Sequence, residues 1–384
     1  MSKRYCFFTA NYLPKLGGVE VYTHCLAKAL VKRGNEVTII TLNEKKTTEN
    51  RMENDVRIIE IPGIQAFNGR LPLMRFNKAF RMFDRSMKKH EFDLVIVQTR
   101  YYPLSVYGAR YAKRKSIPCI LLDHSTNHIN IGGNFVNKMF EIYEHVITKV
   151  LKAFDCKFLG VSQACNEWLK HFRIVSQGVL YNSIEYEVAQ SSEKQDICKK
   201  YGIPANVDII LYAGRLLKEK GIEKLVEAFR ELKKEYPELY LVVAGDGELY
   251  DRLSGCGDDN CIWLGRVKHD EVLELMKKSL IFCLPSDYPE GFPTSVLEAA
   301  VCRCYTITTT AGGSKELITS LEYGTVLEQN QSSEVLKKAI EYVLDNPEHR
   351  KRAVNNNYDR VLKHFTWNVR ADEVEDITEK GIVS

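Results

Sequence analysis

The segment Ile281–Glu316, IFCLPSDYPEGFPTSVLEAAVCRCYTITTTAGGSKE, narrows the possible folds more than any other stretch. Four apolar residues, Ile281–Leu284, end a strand, and a proline-rich loop follows. A helix then opens near Phe292, with Pro293 in its first turn, where a missing N–H costs nothing. Strand, loop and helix in that order are the repeating unit of an α/β sheet. Gly312-Gly313 opens a second helix at Ser314-Lys315-Glu316. Helix N-termini offer unpaired amides and the positive end of a dipole, so two of them in one loop region suit a bound phosphate without a metal. Glu290 and Glu298 bracket the first helix start with seven residues between them. Eight steps at helical rise span at most about 12 Å.

The rest of the chain repeats the same alternation. Residues 5–9 (YCFFT) read as a strand, Asn11–Glu20 as a loop holding Gly17-Gly18, and Val19–Arg33 as a helix capped by Gly34. Strands follow at Val37–Leu42, 55–61, Asp93–Gln98, Ile117–Leu122, Lys157–Val161 and Gly178–Leu180, with helices at 135–153 and 163–172. Past a polar stretch, Glu187–Asp196, strands are expected at Val207–Ala213, Leu239–Ala244, Ile262–Leu264 and 280–284. Helices are expected up to Glu235, over 269–278, through 333–365 and over 368–380. In open α/β sheets ligands gather beyond the carboxyl ends of strands. That rule singles out Asp123-His124-Ser125; the loop Gly214–Gly221 after Val207–Ala213 carries Arg215 and Lys220, and Gly265-Arg266-Val267 ends the strand Ile262–Leu264. Arginine forks onto two phosphate oxygens, and lysine adds a point charge. His128 has no comparable support, His269 reads as exposed, and Asn182 as a turn-former.

In this order the loops resemble the retaining, family 4 nucleotide-sugar glycosyltransferases of GT-B fold. The resemblance runs over nearly the whole chain and includes the Glu-x7-Glu motif. It implies two Rossmann-like domains facing each other across a cleft, with a C-terminal helix that crosses back to the first. The boundaries would be 1–185 plus 367–384 for an acceptor-binding domain and 186–366 for a nucleotide-sugar-binding domain. By resemblance Glu298 accepts the ribose hydroxyls, Glu290 binds the donor sugar, and Gly291, Phe292 and Pro293 lend backbone groups. Arg215, Lys220, Gly313 and Ser314 take the diphosphate, Val267 lies by the nucleobase, and Gly17 and Gly18 line the cleft. His124 matches the position that faces donor sugar and acceptor, making Glu290 and His124 the catalytic candidates. Ser183 and Glu185 stand where relatives carry Gly and Asp, and Arg303 and Tyr305 where they carry Gly and Pro. Arg303 reads as a solvent-facing helix end.

Composition sets the partners. Residues 1–185 hold 28 Lys/Arg against 16 Asp/Glu, a balance of +12; the remainder holds 26 against 34, a balance of −8. A basic half points to an anionic partner, and without a zinc finger, RNP motif or basic heptads a membrane surface outranks nucleic acid. The stretch 70–90 places Phe76, Phe80, Phe83 and Met87 on one helical face amid seven Lys/Arg and one acid, Asp84. It fits an interfacial helix, and equally a crossover helix that buries its phenylalanines on the sheet. No apolar run nears the roughly 18–20 residues of a spanning helix. The N-terminus lacks the apolar core of a signal peptide. The chain is therefore expected in the cytoplasm, peripheral on the inner face of the cytoplasmic membrane. Eleven cysteines without framework spacing fit reduced thiols. Cys302-x-Cys304 and Cys256-x4-Cys261 have no partners to complete a zinc site.

No Asp-x-Asp is present, so no metal and no cofactor are expected beyond the donor, expected to be a UDP-sugar. The expected activity is transfer of a hexose or N-acetylhexosamine to a lipid-linked or growing surface saccharide such as lipopolysaccharide or capsule. A nucleotide-sugar epimerase of the same fold and a non-catalytic sugar-nucleotide-binding subunit remain as alternatives. The missing G-x-G-x-x-G argues against an NAD oxidoreductase.

Overall fold

A computed structural model describes residues 2–15, 17–67, 69–129, 132–187 and 196–381 of the 384. The polar stretch 187–196 lies almost wholly outside them. Two compact units result: Met1–Asn182 with Trp367–Ser384, and Ser183–Thr366.

Unit 1 is built on β1 (Arg4–Phe8), β2 (Glu36–Asn43), β3 (Glu49–Glu53), β4 (Val56–Ala66), β5 (Leu71–Met74), β6 (Leu94–Gln98), β7 (Cys119–Asp123) and β8 (Lys157–Gly160). Their order is β3-β4-β2-β1-β6-β7-β8, with β5 beside β4. β3 and β5 pair antiparallel with β4, and the other pairs are parallel. Helices α1 (Gly18–Lys32), α2 (Lys78–Met87), α3 (Pro103–Lys115), α4 (Asn134–Leu151) and α5 (Gln163–His171) connect the strands. Successive residues of β1 enter different cores. Tyr5 and Phe7 pack with Tyr22, Leu26 and Leu30 of α1, whereas Cys6 and Phe8 pack with Phe80, Phe83 and Leu104. A sheet covered on both faces buries both sides of its central strands, which is why β1, β6 and β7 read as nearly unbroken apolar runs.

Unit 2 opens with the one-turn α6 (Ile197–Lys200). Its strands are β9 (Asp208–Ala213), β10 (Leu239–Ala244), β11 (Cys261–Gly265), β12 (Ile281–Leu284), β13 (Tyr305–Thr309) and β14 (Thr325–Leu327). All are parallel, in the order β11-β10-β9-β12-β13-β14. Its remaining helices are α7 (Ile222–Glu235), α8 (Tyr250–Ser254), α9 (His269–Lys278), α10 (Thr294–Val301), α11 (Ser314–Leu317), α12 (Ser333–Asp345) and α13 (Pro347–His364). The chain ends with α14 (Trp367–Lys380), which buries Trp367, Ala371 and Val374 in the α1 core of unit 1. In both units the strand order reverses beside the first strand, between β1 and β6 and between β9 and β12. Such reversal points are where loops diverge and leave room for a ligand.

Three expectations change. Residues 70–90 are not one helix: Leu71–Met74 is a strand, and α2 begins only at Lys78, where Asn77 accepts the Phe80 N–H at 2.9 Å. Phe80, Phe83 and Met87 are buried, but Phe76 precedes the helix and is 68% exposed. The pattern at 333–365 divides into α12 and α13, because Pro347 cannot continue a helix and instead begins the next. Gly178–Leu180 forms a single bridge, Gly160 to Val179, rather than a strand.

Candidate functional site

In unit 2 the reversal point is occupied by the loops that leave β9 and β12. The first, Gly214–Gly221, ends in a 3-10 turn, Lys218–Lys220, that delivers Gly221 to the start of α7 at φ 73°. A Cβ there would sit 2.0 Å from the Pro285 carbonyl oxygen, so only glycine lets the two loops cross. The Asp287 N–H donates to the Glu219 carbonyl at 2.7 Å, and Lys224 meets Asp287 at 2.7 Å. Lys220 Nζ is thereby carried onto the Glu290 carboxylate, the two side chains 12% and 16% exposed. Ser286 Oγ donates to the same carboxylate at 3.4 Å. The ring of Tyr288 lies under both cations, 4.8 Å from Lys220 Nζ and 5.4 Å from Arg215 Cζ. The result is a half-buried Lys220–Glu290 pair with the exposed Arg215 beside it at the sheet's carboxyl end, a surface complementary to an anion that also carries hydroxyls.

α10 starts at Thr294, with Pro293 in the cap position rather than in the first turn. Half of the steps from Glu290 to Glu298 therefore lie in a loop, and helical rise does not fix their separation. Glu298, on α10, meets the His269 Nε2 of α9 at 3.0 Å. Gly312 and Gly313 are shaped by packing. A Cβ on Gly312 would meet the Glu290 carbonyl oxygen at 2.5 Å, and one on Gly313 the Phe292 ring at 2.2 Å. The Gly313 N–H donates to the Gly291 carbonyl at 3.1 Å, and the buried Ser314 hydroxyl to the Ala311 carbonyl at 3.0 Å. The Gly313 N–H thus braces the carboxylate loop, the Ser314 hydroxyl bonds within its own turn, and α11 behind them is a single turn. Phe292 is likewise buried, 5.7 Å from Phe365. Val267 is half-buried in the loop after β11.

In unit 1, His124 follows β7. Its N–H donates to Asp123 Oδ1 at 3.0 Å, its Nε2 lies 2.7 Å from Gln98 Oε1, and its ring meets that of Tyr22 edge-on at 5.0 Å. Burial pushes its pKa down to about 3, so the imidazole is neutral at physiological pH. Behind it, the fully buried Arg100 lies 3.0 Å from Asp123 Oδ2 and 2.9 Å from Glu144 Oε2, with Phe172 under its guanidinium at 3.8 Å. Burial raises the Asp123 pKa, and Arg100 opposes the rise. Gly17 and Gly18 are exposed at the start of α1. Gly17 lies close under the Glu20 carboxylate, while the space beside Gly18 is open.

Residues 193–360 match the family described as glycosyl transferases group 1, and residues 16–188 match glycosyltransferase family 4. The chain belongs to glycosyltransferase family 4. This glycosyltransferase is 25% identical to an uncharacterized glycosyltransferase of Methanocaldococcus jannaschii, over 97% of each chain. It is 24% identical to the phosphatidylinositol N-acetylglucosaminyltransferase GPI3 subunit of Saccharomyces cerevisiae, over 93% of this chain and 78% of that one. The structure of Anabaena HepE in complex with UDP-glucose superposes with a TM-score of 0.70 at 17% identity, covering 97% of this chain and 98% of that one. The fold of the transferase is GT-B.

Sequence reasoning had no sign of Gln98, Arg100 or Glu144 as partners of the His124 loop. Gln98 and Arg100 stand at the carboxyl end of β6, where the strand-end rule applies to them as well as to His124. His269 is exposed, as expected, and its partner Glu298 stands 29 positions away, beyond any local pattern. Arg303 does end α10 at the surface, bonded to Asn355 at 2.6 Å and lying over Tyr358. The Glu298 carboxylate raises the His269 pKa above the ordinary value. The pair therefore adds stability in full below about pH 6.5, and loses it as pH rises through the raised folded value. NMR titration is expected to place the His269 midpoint above that of a free histidine, and Glu298→Gln to return it. An unshifted midpoint in the parent protein would remove the pair.

Proposed function

We propose that this glycosyltransferase moves a hexose or N-acetylhexosamine from a UDP-sugar to a lipid-linked or growing surface-polysaccharide acceptor, retaining the anomeric configuration and needing no metal. The observation that carries the reading is Lys220 set against Glu290 where the strand order of unit 2 reverses. Cleavage of a sugar–phosphate bond leaves negative charge on the diphosphate and positive charge on the anomeric carbon. Arg215 and Lys220 meet the first charge, and preorganised donors of this kind are the largest lever an active site has. Glu290 binds the sugar hydroxyls with the Gly291–Pro293 backbone beside it, Glu298 takes the ribose, and Val267 adjoins the base. His124 is neutral and its Nε2 is tied to Gln98, so it positions hydroxyls rather than delivering a proton. The departing phosphate takes the acceptor's proton as the acceptor attacks from the same face. Unit 1 holds the acceptor, with Gly17 at the start of α1 and Gly18 leaving space beside it. HepE was crystallised with UDP-glucose, and the yeast relative is named for transfer of N-acetylglucosamine to a phosphatidylinositol; both suit this donor and acceptor class.

In a thermal-shift screen, UDP-glucose and UDP-N-acetylglucosamine are expected to raise the melting temperature by several degrees. A ligand at a hundred times its Kd contributes about 2.7 kcal/mol. Stabilisation by GDP-sugars alone would overturn the uridine preference. No transfer from any common donor into a bacterial lipid fraction would overturn the activity.

For the membrane we propose contact through α4 rather than α2. Phe135, Met139, Ile142, Val146 and Val150 recur at helical spacing along α4, and all are exposed. They sit in the half of the chain that carries a balance of +12, and an apolar face in a basic setting suits an anionic bilayer surface. The protein is expected to float with phosphatidylglycerol vesicles and not with phosphatidylcholine vesicles. Phe135→Ser/Ile142→Ser should weaken vesicle binding by at least about a hundredfold, since each buried side chain is worth roughly 1.5–3 kcal/mol and every 1.4 kcal/mol is tenfold. Undiminished flotation would move the contact elsewhere.

A further inference from the structure

His128, His145 and His171 come from three separate elements, the loop after β7, the middle of α4 and the end of α5. They stand 17 and 26 residues apart, so no spacing in the sequence announces them as a set. One ring nitrogen from each lies within 4.8 Å of the other two, forming the one such group among the described residues. His128 Nε2 and His171 Nε2 are 3.2 Å apart. Nitrogens about 2.0–2.1 Å from a tetrahedral ion lie roughly 3.4 Å from one another.

The surroundings also suit an ion. On the far side of the His128 ring, Nδ1 faces the buried Glu144 Oε2 at 3.2 Å. That carboxylate is held in turn by Arg100 at 2.9 Å and by the Ile129 N–H at 2.8 Å. The carboxylate lies within ion-pair distance of Nδ1 without a hydrogen bond to it, and its charge at that edge of the ring favours a proton on Nδ1, leaving the Nε2 lone pair for an ion. Trp168 stacks on His171 at 4.8 Å and 5°, fixing the plane of that ring. His145 and His171 are exposed, which gives an ion a path in.

We propose that His128, His145 and His171 form a three-imidazole site for a divalent d-block cation, zinc foremost, that fastens the loop after β7 to α4 and α5. Imidazole ligands favour zinc, cobalt, nickel and copper over magnesium and calcium. Water fills the fourth position on the exposed side. The ion is structural: it anchors the loop that begins with His124 and the helix whose outer face carries the apolar stripe, and takes no part in sugar transfer.

The test uses untagged, full-length protein titrated with cobalt(II) and zinc(II). One cobalt per chain is expected to bind, with the visible absorption of a four-coordinate site, and zinc should displace it and raise the melting temperature. His145→Ala and His171→Ala remove exposed rings, and circular dichroism will verify their folding. Each should weaken cobalt binding at least about tenfold and abolish the zinc-dependent melting shift, while magnesium shifts neither the parent nor the variants. Two results would overturn the site: no cobalt spectrum at micromolar metal, or cobalt held equally tightly by both variants, which would put the ion on the cysteines.

Discussion

Glu290→Ala is expected to lower kcat by about 10²–10³-fold, the cost of removing one preorganised polar group at a reacting centre. Fold should survive, because Glu290 lies in a loop and its side chain keeps some solvent contact. Lys220→Ala should do comparable damage, by removing a cation from the departing diphosphate and leaving Glu290 half-buried without its counter-charge. The two changes share one ion pair, so their effects are expected to be non-additive, the double variant being little worse than the poorer single one. Stability separates structure from chemistry. If the pair only held two loops together, Lys220→Met/Glu290→Met, with apolar groups of similar size, would restore both melting temperature and turnover. In the reading offered here stability recovers and turnover does not. Single-turnover assays with a UDP-sugar, alongside urea denaturation of each variant, provide both readouts, and recovery of activity in the double variant would remove Glu290 and Lys220 from the chemistry.

Arg100→Met is expected to destabilise unit 1 by about 3–5 kcal/mol, the usual cost of breaking a buried ion pair from one side. That is a large part of the roughly 5–15 kcal/mol holding a typical domain together. Asp123 and Glu144 both lose their cation, and neither is exposed to water. The sign with pH follows from linkage. Burial already raises the Asp123 pKa while Arg100 opposes it, so removing the arginine raises it further. A carboxyl whose folded pKa exceeds its unfolded value binds more protons when folded. The penalty is thus fully present above the folded pKa and relieved as pH falls toward the unfolded value near 3.9. Urea midpoints should drop sharply at pH 7 and recover in part at pH 5. Arg100→Met/Asp123→Asn/Glu144→Gln should be more stable at pH 7 than the single variant, because it buries no unpaired charge. A single variant as stable as the parent protein would show that solvent reaches this network.

How much of this the sequence carries depends on whether the decisive neighbours are local. Apolar runs such as Ile209–Ala213 and Leu239–Ala244 announce themselves, because a sheet covered on both faces leaves no polar position to break the run. The strand ENRME at Glu49–Glu53 does not. It lies at the sheet's edge and is held by pairing with β4 and by Arg51 against Glu60 at 3.1 Å, contacts absent from its own pattern. Glu290, Arg215 and Lys220 were legible as a set of loops at strand ends. The partners that decide their surroundings lie 70 positions away, as Lys220 does from Glu290, and no periodicity encodes such a distance. The same holds for Arg100 and Glu144, 44 positions apart. Gly312-Gly313 does precede a helix start at Ser314, but the Phe292 ring that fills the space beside Gly313 comes from 21 positions earlier, and a glycine pair carries the same local signal whatever occupies that space.

The crossing of Gly221 over Pro285 limits how this enzyme can be re-engineered. With the Pro285 oxygen filling the space a Cβ would need, and Asp287 bonded to the backbone of Glu219, the segments 214–221 and 285–293 behave as one rigid tile and not as two adjustable fingers. Chimeras meant to import another relative's sugar preference should therefore transplant both segments together. Grafting either alone would set a foreign carboxylate against a lysine shaped for a different one.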